Sequence, residues 1–525
     1  MTKLNQGLPE TGKVTNAAET GSFVEREESS LLRKVRQNYG IFAGISLIFG
    51  VTFTFLFYQA GFGLNSLLFN AIMTGLLMTI SRKLELPIRK EMILCYGGAI
   101  LLGLSSMLTA SDKLHLLNTL GSLFLLDVSL LLQFKAKEQW DFTGFLTSFL
   151  LLPLKSLGSL GMPFLDGNRY FKKTRLLKND NIRNTLIGLI LAIPLLLIVT
   201  VLLSSADLLF GKITAGISDT LFSGDIYLIF LMVFLAFIAC YCIICGAAGQ
   251  SMEQRKVRVK ADPVAAITVT SLLLSVYIVF SVIQAMYLFL GGSFELPAEF
   301  TYSEYARRGF FELLAVTCFN ILLILFCMNV FKESKPLRYL LTAITTCTYV
   351  MIASSAYRMF LYIGEYHLTF LRVFVLLFLL IDALLLAGII LSLYRKDFPL
   401  FGYCVTIISL CYLIFSLGKP DALIASYYIA HTQEAELDLK FLTTELSYDA
   451  AKEVLPVLQE VYGELSEGDL VNQPYQDDDY SFTRNDVRSY YEGISNRREE
   501  NGIRGFNLSV YQADSNAAKY SIKWE

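Results

Sequence analysis

The chain has 525 residues, 54% of them hydrophobic and 17% charged, with 39 Phe, 28 Tyr and only 12 Pro, and a mean hydropathy of +0.51. Soluble domains carry about 25% charged residues, so this composition excludes a string of them and describes a polytopic membrane protein. A porin-like barrel needs short alternating segments, which are missing, so the expected class is all-α; the formal net charge of -2 excludes little until it is divided by position.

Residues 1–37 are mostly polar and read as a disordered cytoplasmic segment, with no short apolar core and small-residue cleavage site to make a signal peptide. Crossing a ~30 Å hydrocarbon layer takes about 20 apolar residues. Runs of that kind fall at 41–60, 64–80, 92–110, 114–134, 185–206, 226–248, 264–290, 309–331, 339–362, 370–394 and 400–417. They make residues 38–418 a membrane domain of about 11 transmembrane helices. The segment 142–165 differs. Its apolar run of about 13 residues stops at Lys155, Gly158 and Gly161, which suits an interfacial or re-entrant piece.

Basic residues set the orientation. Arg33, Lys34 and Arg36 precede the first run, and alternate loops carry Arg82, Lys83, Arg89 and Lys90, then Arg169, Lys172 and Lys173, then Arg255, Lys256 and Arg258, then Lys332, Lys335 and Arg338. The N-terminus is therefore expected in the cytoplasm and residues 419–525 outside. A crossing at 142–165 would move every later basic loop to the wrong side. Divided this way, the charge separates: residues 419–525 hold 10 Lys+Arg against 20 Asp+Glu, and the rest 34 against 26. A basic membrane body carries an acidic tail.

The tail is long enough for a small domain. Pro420 suits a first helical position, Ser447 an N-cap, and Ala451, Val454, Leu455, Leu458, Val461, Tyr462 and Leu465 share one helix face. After a polar stretch with Asp477, Asp478 and Asp479, the end of the chain reads as one more helix and an ordered terminus. The acidic run lacks the Gly and distal Glu of a calcium loop.

Little points to soluble-type chemistry. All nine cysteines lie in apolar segments, and Cys240, Cys242 and Cys245 on one helix cannot converge on a tetrahedral metal. The three histidines are far apart, and HExxH, GxSxG and GxxxxGK[ST] are missing. No metal, no cofactor and no nucleic acid is expected, and the bilayer is the one certain partner. Ionisable residues inside spans are more informative, since each costs about 2.5 to 3.5 kcal/mol on insertion scales. Asp127 and Asp382 lie near the middle of their runs and make a candidate ion or proton site. A second group gathers near the outer edge: Asp207, Tyr305, Arg307, Arg308, Glu312, Arg358, Tyr362, Glu365, Arg372 and Asp421. Arginines outside oppose the charge bias, so something specific holds them there. They read either as an ion-pair belt locking helix ends or as a site for an extracytoplasmic ligand or envelope protein, since guanidinium forks suit carboxylate and phosphate.

The stretches TYSEYARRGFFELLAV (301–316), SSADLLF (204–210), ASSAYRMFLYIGEYHLTFLR (353–372), PDALIASYYI (420–429) and LDLKFLTTELSYDA (437–450) resemble a bacterial multi-pass membrane family, domain of unknown function 4173, with 4153 as the related class. The resemblance covers about 185–511. It implies a bacterial cell-membrane protein of unassigned activity and emphasises Asp207, Tyr305, Arg307, Arg308, Arg358, Tyr362, Arg372, Pro420 and Asp421. This chain departs from the pattern at Lys419, where Asn is usual, at Ser426 and Tyr428, and at His367, where Gly is usual. Three functions follow as expectations: a non-enzymatic protein whose outer polar cluster serves ligand sensing or envelope maintenance, a transporter using Asp127 and Asp382, or a membrane-embedded enzyme on lipid-linked substrates with Asp207 or Glu312 as acid or base.

Overall fold

Within hydrocarbon an apolar run must satisfy its own backbone, and helix is how a single segment does so. In the computed structural model, ten of the predicted runs are helices long and apolar enough to cross a membrane. The structure describes residues 29–134, 142–174, 202–212, 226–250, 260–289, 310–395, 397–433, 437–462, 482–520 and 522, with isolated positions between 185 and 200. Most of the predicted run 185–206 lies outside the described residues, as do residues 1–28 and the acidic run 477–479.

A short amphipathic helix α1 (Ser30–Gln37) is capped by Ser29, whose hydroxyl accepts from the Leu32 N–H. It leads into α2 (Tyr39–Phe57), α3 (Leu64–Lys83), α4 (Lys90–Leu108) and α5 (Asp112–Phe134). These helices pack with α6 (Phe142–Leu157), α7 (Met162–Thr174) and α8 (Ile226–Gln250) around one core that includes Phe42, Tyr96, Leu131, Phe145 and Tyr241. At Gly50 the α2 backbone comes so close to α8 that an added Cβ would stand 2.7 Å from the Val233 carbonyl oxygen. A second group, α9 (Pro263–Phe289), α10 (Phe310–Val330), α11 (Lys335–Tyr366) and α12 (Phe370–Tyr394), has its own core around Ile324, Leu341, Ile344 and Leu386. The helix α13 (Leu400–Leu417) joins the groups, packing on α12 on one side and on α4, α5 and α6 on the other.

The helices α6 and α7 meet at a bend of 59°. Phe145 stacks on Phe401 in the first turn of α13, with centroids 4.1 Å apart. Beyond the bend, the Asp166 carboxylate pairs with Arg36 at 2.9 Å and accepts from the Tyr241 hydroxyl at 3.1 Å. Arg36 ends α1 and Tyr241 lies in the second half of α8. The segment thus returns toward the end of the bundle from which it sets out, the end of Arg36 and of the first turn of α13.

The tail builds a third core from α14 (Pro420–His431), a turn at Tyr448–Ala450, α15 (Ala451–Tyr462), α16 (Arg484–Asn501) and α17 (Leu508–Lys519). The predicted apolar face holds: Ala451, Val454, Leu455, Leu458 and Tyr462 are buried, while Leu465 lies outside the described residues. Two details differ from expectation. Ser447 precedes a 3-10 turn and its side chain caps nothing, and the chain end forms two helices, because Asn507 starts α17 by accepting from the Ser509 and Val510 N–H groups.

Candidate functional site

The described members of the predicted outer cluster fall in separate environments. Arg358, on α11 two turns before its end, is 8% exposed. Its Nη2 donates to Gln284 Oε1 of α9 at 3.2 Å, and the same oxygen accepts from Ser354 Oγ at 2.5 Å. Arg372, in the first turn of α12, donates to the carbonyls of Tyr366 and His367 at the end of α11. Its guanidinium lies 4.3 Å from the Tyr362 ring centre and 6.0 Å from that of Tyr366. A cation at a helix C-terminus meets both the unpaired carbonyls and the negative end of the dipole, so Arg372 closes α11. His367 has φ +62°, a backbone that glycine adopts without strain and that a side chain rarely does. Lys419, with φ +49°, likewise occupies a left-handed position that Asn tolerates.

Glu312 is exposed in the first turn of α10. Asp207 is exposed too, and accepts from the Phe210 N–H at 2.7 Å. Tyr305, Arg307 and Arg308 lie outside the described residues, as does the side chain of Glu365. Asp421 belongs elsewhere, under the tail.

There the structure brings together residues that the sequence reading did not connect. The turn between α4 and α5, Thr109, Ala110 and Ser111, is buried beneath the tail. Asp449, 7% exposed, accepts from the Thr109 hydroxyl and from the Ala110 N–H at 2.7 Å. Asn507 donates to the carbonyls of Thr109 at 2.5 Å and Ser106 at 3.2 Å while its other amide atom caps α17. Asp421, 1% exposed, accepts from the Ser447 N–H at 3.3 Å. Burial pushes its carboxyl above the usual range, hydrogen bonds from Ser447 offset part of this, and the nearby Asp449 charge adds to it. At the rim, Arg497 pairs with Asp112 and Lys113 donates to the Glu445 carbonyl at 3.3 Å.

The polar chain continues below this seat. Asn118 of α5 donates to Ser106 Oγ at 3.2 Å and accepts from Ser416 at 2.7 Å and Tyr412 at 2.8 Å, both on α13. Ser416 in turn shares a 2.7 Å hydrogen bond with Ser105 of α4. A continuous set of bonds therefore runs from the tail through the α4–α5 turn to the helix that joins the two groups.

Residues 96–456, roughly two thirds of the chain, match the profile of a family described as Domain of unknown function (DUF4153). The chain belongs to the DUF4153 family. The match goes to the class expected as the related one, not to 4173, and it begins well before the expected start near 185. No curated protein and no solved structure matches the chain. The DUF4153 region contains the α4–α5 turn, Asn118, Asp421 and Asp449, so most of the seat lies within it; Asn507 lies beyond its end.

The two intramembrane carboxylates of the DUF4153 region stand on different helix groups. Asp127 is on α5, half-buried, and α5 packs on α3, α4, α6 and α8. Asp382 is on α12, 3% exposed, and its Oδ2 accepts from Thr317 of α10 at 3.0 Å. Nearby, Asn320 of α10 accepts from the Tyr277 hydroxyl at 2.8 Å and donates to Thr348 at 2.9 Å. These bonds form a ladder across the second group. Its members are single Thr, Asn, Gln and Tyr residues scattered along apolar runs, and no local spacing in the sequence marks them.

Proposed function

We propose that this DUF4153 protein is a non-enzymatic cell-membrane protein whose tail faces the extracytoplasmic side, where it serves ligand sensing or envelope maintenance. One observation carries the reading: the tail is seated on the membrane helices by buried polar side chains, and these connect through Asn118 to α13. A binding event that shifts the tail would shift the α4–α5 turn and, with it, the contact between the two helix groups. The orientation rests on the alternation of basic residues between successive spans in the sequence, which puts the loops rich in Lys and Arg on the side opposite the tail.

Two other readings are weaker. A shared ion site at Asp127 and Asp382 is disfavoured by their placement on separate groups. A membrane-embedded enzyme with Asp207 or Glu312 as acid or base is disfavoured because both carboxylates are exposed.

The test is genetic and biochemical together. In a deletion strain complemented with the full chain, Ser416→Ala and Asn118→Ala are expected to keep protein level near normal and to lose envelope-stress tolerance, because they cut the chain of bonds below the seat. Full tolerance in both variants would remove the signalling role. A cysteine introduced at Glu499 and labelled by an impermeant maleimide in intact cells is expected to react; failure to react would place the tail inside.

A further inference from the structure

The turn between α16 and α17 carries a side chain that the fold of the tail does not use. Ile503 is 88% exposed, yet the turn that holds it is fixed. The Asn65 N–H donates to the Arg504 carbonyl at 2.9 Å and the Leu64 N–H to that of Phe506 at 2.8 Å. Arg504 Nη1 donates to the Phe55 carbonyl at 2.6 Å, with its guanidinium 5.7 Å from the Phe55 ring centre. Gly63 and Gly505 make this approach possible, since a Cβ on Gly63 would stand 2.3 Å from the Phe506 carbonyl oxygen. The turn is thus tied to the end of α2 and the start of α3, two helices long and apolar enough to cross a membrane, and the ends of such helices lie where hydrocarbon gives way to headgroups.

Beside it opens a groove of about 450 Å³ whose walls include Leu64, Arg498, Ile503, Phe506 and Tyr511. Phe506 and Tyr511 are partly exposed with ring centres 6.1 Å apart, and the Arg498 guanidinium lies 5.1 Å from the Tyr511 ring centre. One helical turn along α3 from Leu64 of the groove wall, Leu68 is 41% exposed, and Phe55 near the end of α2 is 65% exposed, so the groove adjoins a surface that faces lipid by position. We propose that this turn and groove bind a phospholipid of the leaflet on the tail side. Ile503 enters the acyl-chain region, Phe506 and Tyr511 lie against the upper chain and glycerol, and Arg498 holds the phosphate.

The continuity with the lipid-facing surface selects a lipid over a peptide. An apolar side chain held at this depth gains by entering the bilayer, and aromatic rings with a polar or cationic neighbour are the side chains that settle at its interface. Arg498 is paired with Asp514 but keeps 51% of its side chain open, leaving guanidinium donors for a phosphate oxygen. Asp514 and the exposed Glu499 and Glu500 cancel local positive charge. The site therefore reads the phosphate without a polybasic field, and lipid net charge matters little.

The experiment uses the full chain in nanodiscs, with both native tryptophans replaced (Trp140→Phe, Trp524→Phe) and one introduced by Ile503→Trp. Blue-shifted emission is expected, with quenching by a lipid nitroxide at the top of the acyl chain severalfold above that of a Ser495→Trp control on α16, equally in phosphatidylcholine and phosphatidylglycerol. Emission and acrylamide quenching matching the control would overturn the proposal, and severalfold dependence on the anionic lipid would overturn the charge-neutral recognition. In native mass spectrometry, Arg498→Gln is expected to lower the number of retained phospholipids; unchanged retention would remove the arginine from the site.

Discussion

At the turn between α4 and α5 buried polar groups bond to side chains of the tail, whereas in α9 to α12 buried polar side chains bond from helix to helix. In the first region Asp449 and Asn507 satisfy the backbone of a turn that would otherwise face water or headgroups. In the second, Thr317, Asn320, Gln284 and Ser354 satisfy one another and Asp382 and Arg358 within the bundle. The tail meets this second group mainly through apolar side chains at the start of α12, Leu368, Phe370 and Val373. The same residue types thus fasten a domain in one place and fix helix register in the other. The difference lies in geometry: a turn exposes free N–H and C=O groups for a docking domain to take, while a continuous helix offers side chains alone.

This contrast can be broken by substitution. Asp449→Ala leaves the Thr109 hydroxyl and the Ala110 N–H buried without an acceptor, so a loss of about 3 kcal/mol is expected. The readout is release of the tail to protease at lower temperature, while the helices α9 to α12 melt as before. A tail still protected would mean that the seat does not hold it. Asn507→Ala removes the α17 cap and the bonds to the turn, for about 2 kcal/mol and the same selective release. In the other region, Asn320→Ala is expected to cost about 1 kcal/mol, the scale of interhelical hydrogen bonds in membranes, and to leave the tail protected. If it freed the tail as Asp449→Ala does, the two regions would be one cooperative unit.

The smallest effect sharpens the comparison through pH. Because burial raises the Asp421 carboxyl, the seated state holds that proton more tightly than the unseated one. The contribution is fully present below the ordinary value of 3.8 and is lost as pH rises through the raised value. Tail protection is therefore expected to fall as pH rises above 3.8 and to level off once the raised carboxyl has ionised, and Asp421→Asn should flatten that slope. An unchanged slope would assign the dependence to another group.

The apolar runs were legible in advance because each records its surroundings locally. About 20 residues of hydrocarbon length need no tertiary information to be recognised, and the buried face of α15 followed from helical spacing alone. The arginines were also legible as unusual, but their roles were not. Arg372 is held by two carbonyls and two rings, and a carbonyl left free at a helix end has no signature in the residues around it. The seat was still less visible. Thr109 and Asp449 are 340 residues apart, and an Asp beside a predicted cap reads the same whether it is solvated or buried.

Sequence by itself determined an all-α membrane body of long apolar helices, because hydrophobicity is a property of segments. Tertiary structure alone decided which polar side chains meet, where the tail sits and which helix joins the two groups. Those depend on directional bonds between distant residues, and a bond of 3 Å leaves no trace in a sequence until folding brings its two ends together.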